Sequence, residues 1–524
     1  MPAQTTTVKL TDQSPADVKA DALVLATVST ANGAALAGPN LGRKSAGHVA
    51  TMIEALGVKG RAGEVVVLGP VPGVTAPVVV LAGLGEVVGE KATATSAAGK
   101  RAHRSGLSAY TPESVRRGFG MAIRRVGAKA SVAVAAPVED AELVGAVAEG
   151  AAFAAYDYAK QTGKEKGDRS RTGTVLVVTP LGKDKRVKAA VTRTNVLAAN
   201  LDYARDLVNT PPNQLYPETF ADSVRKRAAG TKVKVDVMDE KALAKAGCGG
   251  ILGVGQGSAR PPRIVTMTYK PAKAKTTLAY IGKGITFDSG GLCLKPGGSM
   301  VTMKCDMAGA AAVAAAVLTI AELGLPIAVT GYLCLAENMT GSSAQRPGDV
   351  VTMHDGRTVE IINTDAEGRL VMGDGLALAA DTRPDAIVDI ATLTGAAVRA
   401  LGNRTAALIG NDDDFEADVK RAADAAGESF WQIPITEETR AGMDSHVADI
   451  KHTGDAVGGM MVAAAFLREF IPDGDGQEGA TPWAHLDIAG PAFNEKDAFG
   501  YTPRGGTGFG TGTLVRLAEE RAGH

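Results

Sequence analysis

Short aliphatic and β-branched runs alternate with helical stretches along nearly the whole chain, and this alternation narrows the fold more than any other feature. In the first third, residues 22–28, 65–68 and 78–81 are continuous apolar runs of strand length, the pattern of strands buried on both faces. Stretches 113–126 and 141–158, which follow them, read as helices. Further on, apolar runs at 233–237, 264–269, 277–281, 327–335, 386–391 and 405–409 alternate with helices again. Parallel strands need crossover connections, usually helical, so the pattern predicts an α/β fold throughout.

A chain of 524 residues exceeds the size at which one hydrophobic core usually keeps growing, so two domains are expected. A polar, strongly charged stretch at 161–173 interrupts the apolar pattern, one more strand follows at 174–179, and 186–208 has helical periodicity. Asn209-Thr-Pro-Pro-Asn213 ends that helix, because proline cannot donate the helical hydrogen bond. The expected organisation is an N-terminal α/β domain over 1–185, a linker helix over 186–210 and a C-terminal domain over 211–524. The C-terminal domain should hold a mixed, largely parallel sheet flanked by helices, with ligands beyond the carboxyl ends of its strands. No internal repeat is visible.

Several function classes find no support. Lys plus Arg number 56 against 57 Asp plus Glu, so no overall field attracts nucleic acid or anionic lipid. The N-terminus has neither the basic start nor the apolar stretch of a signal peptide, and Cys248, Cys293, Cys305 and Cys334 show no paired spacing, which suits a reducing, cytoplasmic setting. The most apolar run, 308–323, is too short for a bilayer and contains Glu322, so it is expected to be a buried helix. Gly253-Val-Gly-Gln-Gly257 departs from a dinucleotide-binding loop and reads as a glycine-rich turn. The segment 38–45 has the wrong spacing for a P-loop. There is no H-E-x-x-H and no G-x-S-x-G.

The informative residues lie between 281 and 369. Ile281-Gly-Lys-Gly-Ile-Thr-Phe-Asp-Ser-Gly-Gly follows a predicted strand and is expected to break into a glycine-bearing loop carrying Lys283, Asp288 and, beyond it, Lys295. Asp306 precedes the alanine-rich helix, and Asn363-Thr-Asp-Ala-Glu-Gly-Arg369 places Asp365 and Glu367 between a strand and a helix. Singly, Asp306 and Asp365 read equally well as helix N-caps, and Glu367 as a charge favouring the positive helix end. Together, four carboxylates and two lysines at one sheet edge would repel without cations, and two divalent ions such as Mn²⁺, Mg²⁺ or Zn²⁺ resolve that repulsion.

These motifs resemble the cytosol, or leucyl, aminopeptidases: N-T-D-A-E-G-R at 363–369 matches that family's signature, and G-K-G-I-T-F-D-S-G-G at 282–291 stands at the matching distance. Further similarity runs through Arg205-Asp-Leu-Val-Asn209, Pro347-Gly-Asp-Val350, Ala391-Thr-Leu-Thr-Gly395, His452 and Trp483-Ala-His-Leu-Asp-Ile-Ala-Gly490. The resemblance implies a macro-domain-like N-terminal module and an enzyme that hydrolyses the N-terminal residue, leucine among others, from unblocked peptides. It implies two ions, Mn²⁺ or Zn²⁺, bridged by Asp288 and Glu367, with Lys283 and Asp306 completing one site and Asp365 the other. Lys295 and Arg369 would be catalytic, the latter with a bound bicarbonate. Met303, Thr392, Gly395, Ala489 and Ala492 would line the substrate pocket, and the assembly would be a homohexamer. The competing functions are another two-metal hydrolase, such as a dipeptidase, and a DNA-binding regulator.

Overall fold

The computed structural model describes residues 5–30, 33–38, 41–86, 110–136, 140–158, 171–454, 457–473 and 480–523. Residues 161–170 of the charged stretch, and Pro39 and Asn40 of the P-loop-like segment, lie outside them. The chain divides into two compact units, one of residues 1–199 with 496–504, the other of 200–495 with 505–524. The helix Lys185–Asn209, expected as a linker, runs across that division. Its first part belongs to the first unit because the Asn195 amide exchanges two hydrogen bonds with the Val8 backbone, at 2.9 and 3.0 Å. From Asn200 onward its partners include Glu322 and the carbonyl of Thr507, both in the second unit.

The first unit is built on a sheet of β1 (Thr7–Thr11), β2 (Ala22–Thr30), β3 (Gly33–Ala37), β4 (Val65–Leu68), β5 (Val79–Glu86), β6 (Ser131–Ala135) and β7 (Thr174–Val178). The spatial order is β1-β7-β6-β2-β5-β4, with β3 pairing β2. The strands from β1 to β5 in that order run parallel, while β3 and β4 are antiparallel additions. Val49 and Ile53 of helix Arg43–Ala55 pack on Leu23, Leu25 and Leu81 of the sheet. Helices Pro112–Val126 and Ala141–Ala154 pack on each other, tied by the buried pair Arg116–Glu149 at 2.6 Å.

The second unit holds β8 (Lys234–Met238), β9 (Arg263–Tyr269), β10 (Thr277–Asp288), β11 (Ala328–Asn338), β12 (Val350–Thr352), β13 (Thr358–Glu360), β14 (Ala386–Ala391), β15 (Ala406–Gly410), β16 (Phe430–Gln432), β17 (Ile450–Lys451) and β18 (Trp483–Asp487). Its main sheet has the order β16-β15-β18-β14-β10-β11-β9-β8. The four central strands β18, β14, β10 and β11 are mutually parallel, so their carboxyl ends share one edge. The small strands β12, β13 and β17 form a separate sheet.

β10 is much longer than expected, continuing through Gly282 and Gly284 to Asp288 instead of opening into a loop at residue 282. Its glycines serve close packing. A Cβ on Gly282 would lie 2.5 Å from Ala310 Cα, because the alanine-rich helix Ala308–Leu323 crosses this face almost in backbone contact. That helix is buried along most of its length, inside the sheet-and-helix layers. Ile281 and Lys283 face the opposite side, toward helix Glu367–Ala380.

The supposed turn at Gly253–Gly257 is also different, since Gly253 and Gly255 lie within helix Gly249–Gly255. They too are small for packing: a Cβ on Gly255 would meet the Pro262 ring at 2.8 Å.

Candidate metal centre

Lys283 and Asp288 are five residues apart on one strand, a separation that would point them to opposite faces of a regular sheet. The β10–β11 register shifts between Ile285 and Phe287, and such an irregularity reverses the alternation, so both side chains reach the same site. Asp288 ends β10, where its Oδ1 accepts from Gly290 N at 2.9 Å and from Asn338 Nδ2 at 2.8 Å. Asp306 follows the short 3₁₀ turn Met303–Cys305, and its Oδ1 accepts from Thr392 Oγ1 at 2.8 Å. Asp365 stands in the turn before helix Glu367–Ala380, and Glu367 opens that helix. The N-caps beside these acids are Met307 and Ala366, neither with a side-chain cap, so Asp306 and Asp365 are not capping residues.

The two lysines are held between the acids. Lys283 Nζ lies 2.8 Å from Asp306 Oδ2 and 2.9 Å from Glu367 Oε1, and donates to the Thr392 carbonyl at 3.0 Å. Lys295 Nζ lies 2.8 Å from Asp288 Oδ2 and 2.6 Å from Asp365 Oδ1. Helix Glu367–Ala380 comes so close to Lys283 that a Cβ on Gly368 would lie 2.6 Å from its Cε and Nζ, which gives the glycine of the E-G-R segment a steric reason.

Burial and mutual repulsion set the protonation tendencies. Asp288 is pushed up to about 6 and Asp306 to about 8, first by burial and then by neighbouring carboxylates, against the pull of the lysines. Burial likewise raises Asp365. Burial acts upward on Glu367 too, but the Lys283 and Lys295 ammoniums outweigh it and leave its carboxyl below the usual range. Both lysines are raised, because the surrounding carboxylates overcome the cost of burying their charge.

With all six groups ionised, four carboxylates against two ammoniums would leave an excess of two negative charges, the repulsion that favours protons on Asp306 and Asp288 when no cation is bound. Ligand atoms of Asp288, Asp365 and Glu367 lie within 4.8 Å of one another, and Glu367 Oε2 is buried with no hydrogen-bond partner among the described residues. Asp306 Oδ2 and Asp365 Oδ1 are also without a well-formed hydrogen bond, although each has a lysine ammonium within ion-pair distance. Under-satisfied, clustered carboxylate oxygens are the donors that hard or borderline divalent cations take. The residue set therefore fits metal binding.

Arg369, in the first turn of helix Glu367–Ala380, donates from Nη1 to the His452 carbonyl at 2.8 Å. Its Nε is buried without a hydrogen-bond partner among the described residues, and burial lowers its pKa to about 10. His452 is fully buried: Ile362 N approaches Nδ1 at 3.3 Å, and Nε2 donates to the Asn363 carbonyl at 2.8 Å. Burial and Arg369 depress it to about 4, so it is neutral and braces the segment leading to Asp365.

Of the residues expected in the substrate pocket, Thr392 touches Asp306 and Lys283 directly. Met303 is half-buried in the turn before Asp306, and Gly395 is exposed at the start of helix Gly395–Leu401. Ala489 N donates to Asp487 at 3.2 Å, and Ala492 is buried with its carbonyl bound by Thr507. Three residues with structural parts in the site had been given none from the sequence. Asn338 holds Asp288 and the Thr364 carbonyl, Thr364 Oγ1 ties the 290–293 segment, and Asp487 anchors the loop after β14. The available signals were the polar end of the β11 run, Glu337-Asn338, and the acid inside Trp483-Ala-His-Leu-Asp487.

Comparison with known proteins identifies the family. Residues 202–515 match the catalytic domain of the cytosol aminopeptidase family, and residues 24–164 match the N-terminal domain of the same family. A protein of Streptomyces coelicolor named probable cytosol aminopeptidase is 47% identical over 98% of both chains, and one of Micrococcus luteus with the same name is 46% identical over 98% of both. Among solved structures, the bottromycin maturation enzyme BotP in complex with Mn is similar with a TM-score of 0.81 and 37% identity, covering 96% of this chain and 100% of that one. A mutant of tomato leucine aminopeptidase has a TM-score of 0.82 and 27% identity, covering 99% and 97%. Motifs, domain pair and full-length similarity coincide, and this chain belongs to the cytosol aminopeptidase family.

Proposed function

We propose that the chain removes the N-terminal residue from unblocked peptides at a centre where Asp288, Asp306, Asp365, Glu367 and Lys283 hold two divalent ions. Family membership supports the aminopeptidase activity and metal dependence. The single observation that carries the site is the cluster of buried Asp288 and Glu367 with half-buried Asp365, in which one Glu367 oxygen has no hydrogen-bond partner among the described residues. Asp288 and Glu367 would serve both ions, Lys283 and Asp306 one, and Asp365 the other. When bound, such a pair supplies Lewis-acid activation of water and of the scissile carbonyl. Lys283 would have to give up the proton that its carboxylate neighbours now favour, which only a cation in the proton's place allows.

The chain's own residues do the rest. Lys295, protonated between Asp288 and Asp365, offers its ammonium to the oxyanion that develops at the scissile carbonyl. Arg369, whose buried Nε–H has no hydrogen-bond partner among the described residues, is suited to gripping a small planar anion, and we assign bicarbonate there as the proton carrier. The substrate's free α-amine would approach the carboxylate cluster, so a blocked N-terminus should not be cut. Met303, Thr392, Gly395, Ala489 and Ala492 would form the pocket for the first side chain, of medium apolar type. Mn²⁺ or Zn²⁺ as the native ions, a homohexameric assembly and a cytoplasmic location complete the proposal.

The test is leucine release from leucine amide, N-acetyl-leucine amide and a longer leucyl peptide, before and after chelation and after adding back Mn²⁺ or Zn²⁺. Activity confined to the unblocked substrates, abolished by chelation and restored with two ions per subunit, is expected. Cleavage of dipeptides alone would favour a dipeptidase, and activity indifferent to chelation would sink the metal assignment.

A further inference from the structure

The segment after β14 does two jobs at the centre through one residue. The Thr392 hydroxyl donates a hydrogen bond to Asp306 Oδ1 at 2.8 Å, and its carbonyl oxygen accepts one from Lys283 Nζ at 3.0 Å. β14 ends at Ala391 and the next helix begins at Gly395, so the segment's one local hold is at its far end, where Thr394 caps that helix by accepting at Oγ1 from Ala397 N at 3.0 Å. The rest of the hold comes from a carboxylate on the neighbouring strand. Asp487, fully buried at the end of β18, accepts through Oδ1 from the backbone N–H groups of Leu393 at 3.1 Å, Thr394 at 3.4 Å and Ala489 at 3.2 Å. Its Oδ2 accepts from Thr394 Oγ1 at 2.7 Å. β14 and β18 are parallel with Ala391 opposite Asp487, so the carboxylate stands level with the point where the chain leaves the sheet.

We propose that Asp487 is a positioning residue of the metal centre. By fixing Leu393 and Thr394, it sets Thr392 against Asp306 and Lys283, the pair assigned to one of the two ions. It touches neither Asp365 nor Lys295 in the hydrogen bonds above, so its influence should fall on one ion only. This inference rests on the two-ion reading and deepens it. A carboxylate that merely closed a turn would affect stability without selecting between the ions.

The experiment titrates metal-free protein with Mn²⁺ alone, by calorimetry and by metal content per subunit, for the parent, Asp487→Asn, Thr394→Val and Thr394→Ser. Asp487→Asn is nearly isosteric, and Thr394→Val removes the Oδ2 partner, together with the cap on Ala397 N, without altering the buried acid. If Asp487→Asn fails to fold, Thr394→Val decides. The expected result is two ions for the parent and, in Asp487→Asn and Thr394→Val, one ion of parental affinity with the other weakened at least tenfold. Thr394→Ser, which restores the hydroxyl, should recover both. Parental affinity for both ions in the folded variants would overturn the proposal even if their melting temperatures fell, as would equal weakening of both ions. A parent that takes up fewer than two ions would overturn the two-ion reading and this inference with it, an outcome separable from failure of Asp487 alone.

Discussion

Replacing Gly368 by alanine adds one methyl group at the tightest approach between helix Glu367–Ala380 and the site. The new Cβ would lie 2.6 Å from Lys283 Cε and Nζ and 2.8 Å from its Cδ. Carbon contacts settle near 3.5–4.0 Å, so the lysine tip must retreat by about 1 Å. A flexible side chain could often do so cheaply, but Lys283 is buried and its Nζ is fixed at 2.8–3.0 Å from Asp306, Glu367 and the Thr392 carbonyl. A retreat of that size carries at least one of these contacts out of hydrogen-bonding range. Losing one charged hydrogen bond costs about 1.5–3 kcal/mol, whereas glycine-to-alanine replacement in a helix gains at most about 1 kcal/mol. The loss therefore wins locally, while the two effects partly offset in global stability. Gly368→Ala should fold with a melting temperature slightly below the parent's and, because the retreat also carries Nζ about 1 Å from where it would have to ligate an ion, bind metal at least tenfold more weakly, a loss of about 1.4 kcal/mol. Metal content per subunit, leucine amide turnover and thermal melting are measured together. An alanine variant with both ions at parental affinity and parental turnover would refute the claim that Lys283 is pinned against this helix.

Lys295→Ala should keep both ions, since a like charge is removed from beside them, yet lower kcat by roughly a hundredfold, the scale of one lost oxyanion stabiliser. A change in KM alone would make Lys295 a binding residue instead. In carbonate-depleted buffer the parent should slow and recover when bicarbonate is added, Arg369→Ala should not respond, and Arg369→Lys should be impaired but less so. A parent indifferent to bicarbonate removal would sink that role. Finally, His452 is depressed to about 4 from its ordinary 6.5, so the unfolded chain takes up the proton first on acidification. Its contribution to stability is complete above about pH 6.5 and is lost as pH falls to about 4, on the order of 3 kcal/mol. Denaturant midpoints of the parent and His452→Gln across this range should diverge by that dependence, and parallel curves would refute it.

The sequence by itself determined the alternating α/β framework. The apolar runs of β2, β5, β9, β11, β14 and β15 were legible, because burial on both faces leaves a continuous aliphatic signal, whereas β4, expected to be buried likewise, lies at the sheet edge with Val67 45% exposed. It also supplied the chemistry-bearing residues, since the acids and lysines of 283–306 and 363–369 cluster in two short motifs. The three-stranded sheet of β12, β13 and β17 left no readable period, its strands being two or three residues long.

Tertiary structure alone decided the extent of β10. Locally Gly282 and Gly284 look like loop formers, and only the crossing of helix Ala308–Leu323 turns them into packing surfaces within a strand. It likewise decided that Lys283 and Asp288 face one site, through a register shift that exists only relative to β11. The bracing of Asp288 by Asn338, and of the Thr392 segment by Asp487, joins residues 50 or more positions apart. A sequence shows which groups are available and how each segment prefers to curl. Which of them meet across such distances depends on how helices and strands stack, because hydrogen bonds and steric limits act through space and leave no local pattern in either partner.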